Sequence, residues 1–134
     1  MTLPTPTEQD LDKIRTLFLQ MFVRAESMTR QAVRSVMERD AALGRSVVKL
    51  DTDLDKLEVE IDRRCLSCLA LRHPVGHDLR LITTVMKMVT DLERIGDLAV
   101  NIGEDAVFLG EARNIRHEYR KQAAPEDNKF NPLS

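Results

Sequence analysis

Apolar residues recur three and four positions apart in three long stretches of the sequence, which is the spacing of one face of an α-helix. The first stretch follows Thr7, and the acidic residues after it suit the first turn of a helix. Its apolar positions are Leu11, Ile14, Phe18, Met21, Phe22, Ala25, Ala32, Val33 and Val36. The pattern predicts a helix over residues 8–38, with a break between Asp40 and Gly44.

The second and third stretches predict helices over residues 44–71 and from about 77 to 110. Pro74 and Gly76 mark the turn between them, and Gly110 can close the third helix. The second apolar set is Val47, Leu50, Leu54, Leu57, Ile61, Cys65, Cys68 and Leu69, and the third is Ile82, Val85, Met86, Val89, Leu92, Gly96, Val100 and Val107. Each predicted helix is about 40 to 50 Å long at 1.5 Å per residue.

Long helices joined by short turns pack antiparallel. The predicted fold is therefore all-α, an up-down-up antiparallel three-helix bundle. The predicted domain organisation is an N-terminal extension over residues 1–7, the bundle over 8–110, and a polar tail or linker over 111–134.

The composition narrows the class of protein further. Aromatic residues make up 4% of the 134 residues, which argues against a β-sandwich or barrel, and the net charge of -2 gives no nucleic-acid footprint. No apolar run is long enough to span a membrane, and the first ten residues lack the features of a signal peptide. Two cysteines make no disulfide framework, so a reduced, cytoplasmic protein is predicted.

The third helix carries carboxylates on its apolar face. On a helical wheel Glu93 lies within about 40° of Val89 and Met86, and Asp97 falls on the same edge. An unpaired carboxylate inside a core costs free energy, so it needs a cation, a proton or water. This face is the most informative feature of the sequence.

The second helix also carries a row of four acidic residues on one face: Asp51, Asp55, Glu58 and Asp62. Like charges at this spacing repel each other along a helix. Basic residues of a neighbouring helix, solvent, or hard cations bridged by oxygens would each relieve the repulsion. The pairs Glu58-x-x-x-Asp62 and Glu93-x-x-x-Asp97 can present two oxygens from successive turns to one ion.

Three separated segments together resemble the PhoU family of phosphate-transport accessory and regulatory proteins. The run Asp91-Leu92-Glu93-Arg94-Ile95-Gly96-Asp97-Leu98-Ala99-Val100-Asn101-Ile102 is similar to the family's signature segment. Pro74 followed by Asp78-Leu79-Arg80 resembles its second turn, and the acidic row resembles its second helix. The resemblance covers about residues 10–110.

The resemblance implies a metal-binding regulator rather than an enzyme. It implies iron or zinc clusters held at Glu58, Asp62, Glu93 and Asp97, with Asp51 and Asp55 at weaker positions. It also implies restraint of a Pst-type phosphate ABC transporter and of a phosphate-sensing histidine kinase. Family members usually carry two such repeats in tandem and this chain has one, so a homo-oligomer, most simply a homodimer, is expected.

Three other interpretations remain open at this point. The first is a metal-free helical interaction module whose carboxylates form salt bridges. The second is a metalloenzyme, which the missing Glu-x-x-His motif disfavours. The third is a zinc site at Cys65, Cys68, His73 and His77, but both thiols fall on the apolar face, where cysteine packs as a small hydrophobe.

Overall fold

The chain folds into three antiparallel α-helices in up-down-up order, which confirms the predicted fold class. The computed structural model describes the backbone of residues 2–127 and the side chains of residues 2–123. Helix α1 spans Pro6–Met37, α2 spans Ala41–Arg72 and α3 spans His77–Asp127. Each helix packs against both of the others, so a single core runs along the bundle.

The core follows a repeat of seven residues, as in coiled coils. In α1 one row of the repeat is Ile14, Met21, Met28 and Ser35, all of them fully buried. Helix α2 has two such rows: one is Val47, Leu54, Ile61 and Cys68, and the other is Gly44, Asp51, Glu58 and Cys65. Helix α3 also has two: one is Ile82, Val89, Gly96, Gly103 and Gly110, and the other is Val85, Leu92, Ala99 and Ala106. The predicted core positions Phe22 and Val33 are wrong: each is 49% exposed, because each directly follows a buried residue, Met21 and Ala32, and so points away from the core.

The N-terminus of α1 is fixed by a capping box at Thr5 rather than by Thr7. The Thr5 hydroxyl accepts a hydrogen bond from the Glu8 N–H at 3.1 Å, and the Glu8 carboxylate accepts one from the Thr5 N–H at 2.8 Å. Pro6 suits the first turn because its missing N–H has no helical partner there. The predicted start of this helix was therefore two residues late.

The predicted break between Asp40 and Gly44 was placed too late in the chain, because the turn between α1 and α2 lies at residues 38–40. Arg39 takes a left-handed backbone conformation with φ of 55°, and Asp40 caps α2 by accepting the Leu43 N–H at 3.0 Å. Gly44 lies inside α2, where this helix packs closely against α3. A Cβ there would stand 2.6 Å from the carbonyl oxygen of Gly103, so this glycine serves packing rather than a turn.

Gly110 does not end α3, contrary to the prediction. It packs against Ala41, and a Cβ on it would lie 2.8 Å from the Ala41 Cβ. The helix continues to Asp127, and residues 111–122 are all exposed. The segment 111–127, predicted as part of a polar tail or linker, is thus helical, whereas 128–134 lies outside the described residues. The division into bundle and tail stays a prediction.

Candidate metal centre

Three carboxylates from α2 and α3 meet at the interface between these helices. One oxygen each from Asp51, Asp55 and Glu93 lies within 4.8 Å of the others. Asp51 and Asp55 are one turn apart on α2, so both face the same stretch of α3. Asp51 stands on a core row of α2, and Glu93 stands next to the core rows of α3, in line with half-buried Met86 and Val100.

Gly96 of α3 has no Cβ, which lets α2 approach closely at this point. A Cβ on Gly96 would overlap the side chain of Leu54, and it would stand 3.7 Å from Oδ1 of Asp51. Leu54 is fully buried, so it cannot swing aside into solvent. Gly96 therefore sets the separation of the helices that brings the carboxylates together.

Glu93 has the most strongly perturbed carboxyl group of the site. Burial, followed by hydrogen bonding and charge repulsion from Glu58 and Asp55, raises its pKa from 4.5 to about 9. A protonated Glu93 can donate a hydrogen bond to Glu58 or Asp55, so two negatively charged carboxylates do not lie side by side. In the absence of a cation, Glu93 is therefore held as the neutral acid at pH 7.

Two more carboxyl groups on α2 also have raised pKa values. Burial raises the pKa of Asp51, and the charges of Asp55 and Asp97 raise it further. Burial likewise raises the pKa of Asp62, with a further contribution from Glu58. No basic side chain lowers the pKa of Glu93, Asp51 or Asp62, so the acidic cluster lacks a positive counter-charge in the described part of the chain.

The structure brings together three of the six predicted site residues, Asp51, Asp55 and Glu93. From the sequence, the pairs Glu58–Asp62 and Glu93–Asp97 are the first candidates. The structure instead brings one oxygen each of Asp51, Asp55 and Glu93 within 4.8 Å of the others. Glu58 shares a hydrogen bond with Glu93, and the charge of Asp97 acts on Asp51. Asp62 lies at the edge, where its only acidic influence is Glu58. The assignment of all six to metal stays a prediction.

The surroundings of two buried oxygens show whether the cluster suits a cation. Oδ1 of Asp51 and Oε1 of Glu93 are shielded from solvent and have no hydrogen-bond partner among the described residues. None of the ion pairs found in residues 2–123 uses any of the six carboxylates. Buried acceptors without donors are costly, and an oxygen-only set suits a hard cation. The residues present therefore fit a metal ion.

The structural role of Gly96 was not predicted, although this glycine lies on the predicted apolar face of α3. A glycine among large apolar side chains is a signal of close approach between helices. Cys65 and Cys68 are buried, and burial raises the pKa of Cys65 to about 11. His73 and His77 are exposed, and these four residues do not come together among the side chains that the structure describes. No helix in the described part of the chain could cross a membrane.

Comparison with known protein families matches residues 18–106 to the PhoU domain. Curated relatives include the phosphate-specific transport system accessory protein PhoU homologs of Aquifex aeolicus and Pseudomonas putida. They are 36% and 38% identical over 77% and 76% of this chain, which covers 47% and 40% of their own lengths. The chain thus spans about half the length of the curated relatives it matches.

A solved structure has the same fold. The crystal structure of PhoU from Pseudomonas aeruginosa is similar with a TM-score of 0.75 and 36% sequence identity. The similarity covers 78% of this chain and 50% of that chain. The likeness extends over most of the three-helix bundle described above.

Proposed function

The chain belongs to the PhoU family, and from this premise we propose that it regulates phosphate uptake as an accessory of a phosphate-specific transport system. The names of its curated relatives support this role. The role requires no catalytic step. The partners that we propose are a Pst-type phosphate ABC transporter and a phosphate-sensing histidine kinase, both met at the cytoplasmic side of the membrane.

We further propose that the acidic cluster binds a metal ion. The observation that carries this proposal is the pair of buried, partnerless oxygens on Asp51 and Glu93, beside Asp55. Glu58, Asp62 and Asp97 would complete or extend the site. Iron is the first candidate and zinc the second, in line with the family resemblance. A bound ion would supply the positive charge that the described part of the cluster lacks.

The chain's own residues define what such a site does to the bundle. Asp51 and Asp55 belong to α2 and Glu93 belongs to α3, so a shared ion would tie these two helices together. Without an ion, the same carboxylates repel each other unless Glu93 keeps a proton. Metal occupancy would therefore stiffen the interface between α2 and α3, next to the surfaces that a partner could contact.

The alternative is a metal-free helical interaction module, and one observation favours it. A Glu93 pKa of about 9 lets a proton alone satisfy part of the cluster at neutral pH. In that case the cluster would be a structural feature of the bundle, without metal chemistry. Metal content separates the two functions.

The test compares two double variants that each remove two carboxylates. Asp55→Asn with Glu93→Gln removes ligands from the cluster, whereas Asp53→Asn with Glu60→Gln removes ion-paired acids of α2 outside it. Metal analysis by mass spectrometry follows purification without chelator and after loading with iron or zinc. We expect bound metal in the wild type and in the control pair, and its loss in the cluster pair.

Absence of metal from the loaded wild type, or equal loss in the control pair, would overturn the metal proposal. The regulatory role has a separate test in bacterial cells that lack their own PhoU protein. Expression of the wild-type chain should lower phosphate uptake in phosphate-rich medium. Uptake that does not respond to the chain would count against regulation, whatever its metal content.

A further inference from the structure

Helix α3 extends beyond the bundle with an apolar stripe that no described residue covers. The last packed position is Gly110 against Ala41. The outer stripe, defined as Phe108, Ala112, Ile115 and Tyr119, begins two residues before Gly110 and continues along the exposed helix beyond it. Phe108, Ile115 and Tyr119 are 71%, 69% and 73% exposed. An isolated helix of this length is only marginally stable in water, so a second helix packed on its apolar face would stabilise it.

The outer stripe has the spacing of a coiled-coil contact. Its members follow one another by four, three and four residues, which is the alternation of the two core positions of a heptad. The next position in the series is Gln122, which would close the contact at its far end. Between Phe108 and Gln122 the stripe covers about four helical turns.

Opposite charges flank the two sides of the stripe. Glu111 and Glu118 lie along one side, and Arg116 lies along the other, with Arg113 and Arg120 beyond it. In a parallel pair of helices, a residue that flanks the stripe on one side faces a residue of the second helix. That second residue flanks the stripe on the other side and lies five positions later in the sequence. Glu111 of one copy would then face Arg116 of the second copy, and Arg116 of the first copy would face Glu111 of the second. An antiparallel pair would place like charges together.

The position of the bundle permits the parallel arrangement. Gly103, Ala106 and Gly110 of α3 pack against α2, and Ala99 is buried; on a helical wheel these residues point roughly opposite to the outer stripe. Two copies joined through their stripes would therefore hold their bundles on the outside, without collision. Nearer the bundle, Asp105 would face its own counterpart, so the two helices separate just before Phe108.

We propose that the chain self-associates as a parallel dimer through residues 108–122 of α3. The apolar stripe supplies the attraction, and the Glu111–Arg116 pairs fix the orientation. The contact is short, so the dimer is weak and depends on protein concentration. This inference is independent of metal binding and of the role in phosphate uptake.

Sedimentation equilibrium of the full chain tests the proposal. We expect dimers to accumulate with concentration in the wild type. Ile115→Glu should weaken association about tenfold or more, because two carboxylates would then face each other in the stripe. The matched control is Leu71→Glu, which changes an apolar residue that is 67% exposed on α2. A strict monomer at about 1 mM, or equal loss in the control, would overturn the proposal.

Charge exchange and cross-linking then test the orientation. Glu111→Arg and Arg116→Glu should each weaken the dimer, and the double variant should recover it. Gln122→Cys should form a disulfide with its counterpart, because a parallel pair places the two side chains together while Cys65 and Cys68 stay buried. A dimer in which Gln122→Cys fails to cross-link on oxidation would rule out the parallel arrangement.

Discussion

Glu60 and Glu93 are the same type of residue in the same bundle, yet their surroundings act on them in opposite directions. Glu60 on α2 accepts hydrogen bonds from Arg63 at 2.6 Å and Arg64 at 2.7 Å, and these partners lower its pKa. Glu93 on α3 is partly buried beside Asp55 and Glu58, and its pKa rises to about 9. One carboxylate is stabilised in its charged form, the other in its neutral form.

The comparison shows why the count of acidic residues says little about function. Every residue of a solvated acidic face can reach arginine, lysine or water, as Glu60 does. The cluster around Glu93 instead places carboxylates where the helices meet and where the described residues offer no cation. Such a carboxylate must bind a proton or a metal ion. This requirement makes the cluster a candidate functional site.

The largest expected effect comes from replacing the ionisable carboxyl group of Glu93. Its folded pKa of about 9 exceeds the ordinary 4.5, so the free energy of unfolding of the metal-free protein should fall as pH rises between these values. Glu93→Gln cannot ionise and should abolish this fall. At pH 8 we expect a gain of about 2 kcal/mol, less than the full shift because solvent screens a half-buried group.

Urea unfolding in the presence of chelator, at pH 5 and pH 8, measures this effect. The matched control is Glu60→Gln, whose parent has a lowered pKa and should show no gain at pH 8. A Glu93→Gln variant less stable than the wild type at pH 8 would contradict the repulsion that we infer. With metal bound, the sign should reverse, because the variant loses a ligand.

The next effect concerns the approach of the helices. Gly96→Ala places a Cβ against Leu54, so α2 and α3 must move apart. We expect a loss of about 1 kcal/mol, after helix propensity offsets part of the overpacking cost, together with a lower pKa of Glu93. Gly110→Ala makes a similarly close contact with Ala41, far from the cluster, and should leave that pKa unchanged. NMR titration of the carboxyl groups distinguishes the two variants.

The comparison of expected and observed helices shows what sequence patterns can establish. The three-helix fold was predictable because apolar residues repeat at helical spacing over each helix. The roles of Gly44 and Gly110 were not, because glycine can end a helix or admit a neighbouring one, and only the partner helix decides. Both glycines turned out to admit a neighbour.

The grouping of carboxylates on each single helix was predictable, but their arrangement across the interface between α2 and α3 was not. A helical wheel places Glu93 on the apolar face of α3, and it groups Asp51 with Asp55 on α2. It treats each helix alone, however, so it cannot give the register between α2 and α3. That register depends on the contact between Leu54 and Gly96, and it brings Asp51 and Asp55 of α2 together with Glu93 of α3.

A smaller effect should follow from changing one neighbour of Glu93. Asp55 raises the pKa of both Glu93 and Asp51, so Asp55→Asn should lower both pKa values, that of Glu93 by about 1 pH unit. Asp53→Asn, two residues away, removes a carboxylate that pairs with Arg24 at 3.3 Å and should leave both unchanged. Carboxyl NMR titration measures both variants, and equal shifts would show that distant charge, rather than contact, controls Glu93.

The smallest effect belongs to Glu60, the ion-paired member of the comparison. Because its folded pKa is lowered, its contribution to stability is present above the unfolded pKa and is lost as pH falls through the folded value. Glu60→Gln should therefore weaken the fold slightly at pH 7, with no difference at pH 2, and added salt should shrink the loss. Urea unfolding at both pH values measures it. A gain at pH 7 would mean that Glu60 is repelled as Glu93 is, and the contrast between paired and unpaired carboxylates would then fail to explain their opposite pKa values.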